Sequence, residues 1–127
     1  MPRRPTAEQV YRITPIVPPS IVSGAVPVAH ALYRENVPKV WANVSSTPAL
    51  NDSFNMTSVA DGGAGITTLT FDRDFANTTY APVGSTTDGD DYLSFVTFAA
   101  GSINAQTRNA AGTLEDRAFA VVIFGDQ

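Results

Sequence analysis

Few residues in this chain are of types that do chemistry. The one histidine, His30, lies in V-A-H-A-L. A Ser-His-Asp relay needs an imidazole beside a nucleophile, and no G-x-S-x-G turn is present to supply one, so His30 reads as a surface or interface side chain. With one His and no Cys, neither a zinc ligand set, nor a thiol nucleophile, nor a disulfide framework can be written. Carboxylates are more plentiful. Asp88, Asp90 and Asp91 fall within T-T-D-G-D-D (86–91), and hard cations favour such clustered oxygens, but the full D-x-D-x-D-G-x5-E loop is missing. The bland reading is a solvated turn. Asp72 and Asp74 add to the carboxylates from which a glycoside-cleaving pair could be drawn. That chemistry also needs a cleft that fits a sugar, which a domain of about 90 residues rarely encloses. The chain therefore reads as non-enzymatic, with no cofactor.

What remains is recognition by aromatic side chains. Trp41 could stack on a sugar ring, although a Trp in a first strand more often fills a core or a subunit interface, where burial contributes on the order of 2–3 kcal/mol. Tyr80 and Tyr92 bracket the acidic loop. Together with Asp88, Asp90 and Asp91 they form the candidate contact with a receptor, a host-surface glycan being the ligand that aromatics and carboxylates suit. The competing reading is that both tyrosines are strand-end residues covering the core.

These groups must be positioned by two unlike parts. Seven of the nine prolines lie in the first 38 residues. Proline removes a backbone donor and fixes φ, so no long helix or central strand runs through 13–27. The segment must be extended, apart from a short helical turn at 29–35 that Pro38 would stop. Yet Tyr11, Ile13, Ile16, Val17, Ile21 and Val22 are apolar and need cover. An extended apolar stretch that cannot make a core by itself lies on another polypeptide, so residues 1–38 are expected to be an anchoring arm.

From residue 39 the texture changes to Val, Thr, Phe and Tyr in short runs separated by Gly, Asn and Asp, which is strand texture. Seven strands are expected, at about 39–46, 52–60, 64–72, 78–85, 92–100, 102–109 and 117–125. Alternation is clearest at Phe54 and Met56, and at Ile66, Leu69 and Phe71, which gives one wet and one dry face. Asp61-Gly62-Gly63 can adopt positive φ and joins two strands as a hairpin. The expected fold class is all-β, an antiparallel β-sandwich over 39–127.

Charge divides at the same place. Residues 1–39 carry five cationic and two anionic side chains, net +3, whereas 40–127 carry three and ten, net −7. An acidic domain repels phosphate backbones, so nucleic acid is not an expected partner. No stretch is apolar for the roughly 18 residues of a membrane span, and the first residues lack the apolar run of a signal peptide. A soluble product made in the cytoplasm is expected. The N-x-S/T triplets at Asn43, Asn51, Asn55 and Asn77 then read as ordinary strand and turn residues.

Several of these words also occur together elsewhere. K-V-W-A-N-V at 39–44, D-S-F-N-M-T-S-V at 52–59, L-T-F at 69–71 and D-F-A-N-T-T-Y at 74–80 resemble the pattern K-A-W-V-N-F … D-S-F-N-V-S-S … F-x-x-x-Y. That pattern recurs in small bacteriophage and prophage virion proteins and in tail-fibre C-terminal domains. The likeness spans residues 39–83, about a third of the chain, and departs from the pattern at Asn51, where a basic residue usually stands. It implies a structural virion protein: a small fibre, spike or decoration module, commonly homotrimeric, displaying its β-domain and contributing to host-surface adsorption. The arm lies outside the likeness, and its own extended apolar residues are what would hold the chain to other virion proteins, whether capsid, portal or tail. A soluble carbohydrate-binding module is the alternative.

Overall fold

The computed structural model describes residues 37–127. The arm residues Tyr11, Ile13, Ile16, Val17, Ile21 and Val22, His30 and the expected turn at 29–35 lie outside the described residues.

Eight strands form, all antiparallel, and there is no helix among the described residues: β1 (Val40–Val44), β2 (Leu50–Phe54), β3 (Met56–Asp61), β4 (Ile66–Phe71), β5 (Ala81–Thr86), β6 (Tyr92–Ala99), β7 (Ser102–Arg108) and β8 (Phe119–Phe124). They make two four-stranded sheets, ordered β2-β1-β8-β5 and β3-β4-β7-β6. The all-β expectation holds, with one strand more than the seven read from the sequence. The extra strand comes from 52–60, which is not continuous. Asn55 takes a left-handed backbone, φ 59°, and the chain turns there from the first sheet into the second. Phe54 and Met56 consequently do not share a face: Phe54 is exposed and Met56 packs on the core.

The core lies between the sheets, where period-two alternation places it. Val40, Ala42 and Val44 of β1 and Phe119, Val121 and Ile123 of β8 face Leu69 and Phe71 of β4 and Ile103 and Ala105 of β7, all buried. Each larger side chain so enclosed contributes about 1.5–3 kcal/mol. These four strands occupy the middle of their sheets, so the first and last strands of the domain pair side by side, from Val40 opposite Ile123 to Val44 opposite Phe119.

An aromatic plug closes one end. Phe71 and Phe75 meet edge to face at 5.1 Å, and Phe75 stacks on Tyr80 at 4.4 Å. Phe98 lies over Tyr80 at 5.3 Å. The backbone fits closely here: a Cβ on Gly125 would sit 2.7 Å from the Tyr80 Cβ. Phe98 is carried by an irregular hairpin, in which the β6–β7 register shifts between Val96 and Ala99 and Thr97 adopts φ 53°. That conformation is unusual for a β-branched residue.

Candidate functional site

The hairpin and crossing loops sort to the two ends of the sandwich. At one end Asn55 is the hub. Its Nδ2 donates to Lys39 O at 2.9 Å and to Gln127 Oε1 at 3.1 Å, and its Oδ1 accepts Arg73 N–H at 2.9 Å. Residue 39, residue 127, the 72–80 loop and the 99–102 hairpin therefore lie together. The asparagine of D-S-F-N owes its place to this backbone role.

At the opposite end stand the loops 45–49, 62–65, 87–91 and 109–118, since Val44 and Thr86 both pair with Phe119. Three of these loops are tied to one another. The buried Thr107 donates its hydroxyl to Glu115 O at 2.8 Å and accepts Arg117 N–H at 3.3 Å. Gly65 N–H donates to Asp116 Oδ1 at 2.7 Å. Thr87 N–H donates to Ala118 O at 2.9 Å. Arg117 Nε lies 3.0 Å from Asp91 Oδ2, an ion pair whose N–H is not aligned as a hydrogen bond, and Arg117 Nη2 reaches Glu115 Oε2 at 3.2 Å. Asn109 organises the rest by accepting Ala111 and Thr113 N–H on its side-chain oxygen.

The five residues expected at a receptor contact fall into three groups. Tyr92 opens β6, the residue 55% exposed, directly opposite Arg108 on the outer face of the second sheet. Asp88 and Asp90 are exposed in the loop. Asp91 instead turns inward to Arg117, its side chain nearly covered. Tyr80 is not at this surface at all. It is 5% exposed at the other end, with its hydroxyl shared between Ala99 O at 2.8 Å and Ser102 O at 2.9 Å. Burial pushes its phenol above the ordinary value of 10.0, against the lowering effect of the bond to Ala99. The reason for the misplacement is topological: Tyr80 and Tyr92 bracket β5, so they sit at opposite ends of that strand. Among the described residues no three acidic or imidazole side chains converge as a metal-holding group.

A second surface went unread in the sequence. Trp41 is not in the core. Across the outer face of the first sheet Phe54 stands opposite Trp41, Trp41 opposite Val122 and Val122 opposite Val83, one residue from each strand. Phe54 is 56% and Val83 61% exposed. The signal lay in V-W-A-N-V, whose alternation puts Trp41 on the face opposite Val40, Ala42 and Val44. Arg108 and Arg117 were likewise missed, although an Asn followed by small residues and Gly at 109–112 signals the turn whose Gly112 O accepts from Arg108 Nη1.

No family model, curated protein or solved structure matches the chain. The site is therefore read from its own geometry: a braced, acidic loop end with one open aromatic ring, and an apolar row on an outer sheet face. The loop end offers one ring for stacking and carboxylates for hydrogen bonding, and the row offers apolar contact.

Proposed function

We propose that this chain is a structural protein of a bacteriophage particle, anchored by its proline-rich arm and displaying the β-domain outward. The observation that carries the reading is the polarity of the domain. Residue 39, where the arm joins, meets Gln127 through Asn55, while the loops holding Tyr92, Asp88 and Asp90 project from the far end. A tether at one end and braced loops at the other is the arrangement a display module needs.

In this reading the arm lies on a capsid, portal or tail protein, and Tyr92 with the acidic loop touches a host-surface glycan. Copies associate, as a homotrimer, by covering the Phe54-Trp41-Val122-Val83 row. An apolar row of that width is more than scattered surface residues account for. Antibody against the full chain should label intact particles released from cells carrying the gene, and light scattering of the purified chain should give three times the chain mass. Recovery of the protein only as a free monomer would end this reading. The exposure of Tyr92 favours one alternative, a soluble carbohydrate-binding module. That alternative predicts a monomer whose glycan binding is lost in Tyr92→Ala.

A further inference from the structure

The sequence contains two Asp-Gly steps, Asp61-Gly62 and Asp88-Gly89. Among steps that follow an aspartate, Asp-Gly is the most open to succinimide chemistry, because glycine places no Cβ beside the attacking nitrogen. The structure treats the two steps in opposite ways. Asp61 ends β3, and its Oδ1 is held by Gly63 N–H at 2.8 Å. The Gly62 N–H is itself donated to Ile66 O at 2.8 Å, and the space beside Gly62 is filled by the Ile66 side chain, 2.9 Å from where a Cβ would stand. Both reacting groups are therefore occupied and crowded.

Asp88 and Gly89 stand at the tip of the loop between β5 and β6, and both are exposed. Nothing lies within 4 Å of where a Gly89 Cβ would be. Among the described residues no group accepts the Gly89 N–H or holds the Asp88 carboxyl, and only the Asp88 main-chain oxygen is engaged, by the Thr86 hydroxyl at 3.0 Å. We propose that Asp88-Gly89 is a site of spontaneous isoaspartate formation and that Asp61-Gly62 is protected from it by the fold. The inference is independent of what the domain binds.

The step balances without any other reagent than water. The Gly89 nitrogen gives up its proton and attacks Cγ of Asp88 in its protonated form. A C–N bond forms, and the carboxyl oxygen leaves as water, so the succinimide is lighter by one water. Water then adds back. Opening at the side-chain carbonyl restores aspartate. Opening at the main-chain carbonyl breaks the original peptide C–N bond and leaves the chain running through Cβ and Cγ, with a free α-carboxylate. The product carries one more backbone atom between Thr86 and Asp91. Thr86 Oγ1 also bonds Asp91 O at 3.2 Å, and Asp91 pairs with Arg117, so the change reaches the brace of the loop end.

The test uses the full chain, aged in neutral buffer and then digested with trypsin, which places Asp61 on the peptide 40–73 and Asp88 on the peptide 74–108. Isoaspartate, located by electron-based fragmentation, should build up at Asp88 at least roughly tenfold faster than at Asp61, the factor that one kept hydrogen bond of about 1.4 kcal/mol would give. In denaturant the two rates should converge. Gly89→Ala, which meets no neighbour, should suppress the product at Asp88 in a protein that remains folded. Equal rates at the two sites in the folded chain, or an unchanged yield in Gly89→Ala, would overturn the proposal.

Discussion

Tyr80 concentrates several roles in one side chain. Its ring completes the stack with Phe75 and Phe98, and its hydroxyl pins the carbonyls on either side of the β6–β7 turn. Removing only the oxygen keeps the stack and leaves the two carbonyls without their shared donor. Tyr80→Phe should therefore lower stability by about 1–2 kcal/mol, measured by denaturant unfolding with an unchanged m-value. The raised phenol pKa adds a pH signature. A folded-state value above the unfolded one means that the folded protein keeps its proton where the unfolded chain releases it. Stability from this group is then full below pH 10 and is lost as pH rises from there through the folded value. Tyr80→Phe should show a shallower alkaline loss than the parent. If both fall in parallel, the hydroxyl is not buried in solution. Part of this was legible in the sequence, since the competing reading of Tyr80 is a strand-end residue covering the core. Which end of the molecule holds it was not, because that depends on the direction β5 runs.

At the level of elements, strand texture and the positions of most strands followed from β-branched and aromatic runs broken by Gly, Asn and Asp. The break at Asn55 did not. Asn in a strand-like word is locally compatible with a strand, and only its long-range partners at Lys39, Arg73 and Gln127 select the left-handed backbone. Asn is also among the few side chains that accept that conformation at low cost. The two contributions can be separated by substitution. Asn55→Gly keeps the backbone freedom and loses the side-chain bonds, for an expected cost of about 1–2 kcal/mol. Asn55→Ala loses both and should cost about 1 kcal/mol more. Thermal or chemical unfolding of the two variants checks the order. Equal costs would mean that the backbone conformation contributes nothing. The same break explains the outer row: by ending β2 at Phe54, it leaves that ring beside Trp41 on the outer face. Sequence reading of 52–60 as one strand assigned Phe54 to the core, and the apolar row was lost with it.

Across the whole molecule the chain passes repeatedly between sheets, from β2 to β3, β4 to β5, β5 to β6 and β7 to β8, while β1 waits for β8 to complete the centre of the first sheet. Neither sheet can bury its inner face before the other is in place. Hydrophobic stabilisation, which comes from area removed from water, is thus available only to the assembled pair. The domain should unfold in one transition. Trp41, the sole tryptophan, reports on the first sheet through its emission, and the near-ultraviolet dichroism of Tyr80 and its neighbours reports on the plug that the second sheet holds. The two signals should coincide through a urea titration. Because β1 and β8 come from the two ends of the domain, closing that pair is entropically slow, and refolding should fall in the millisecond-to-second range of non-local β topologies. Separated transitions, with the Trp41 signal lost while the Tyr80 signal persists, would show that the second sheet holds its own core, and the shared-core account of this fold would fail.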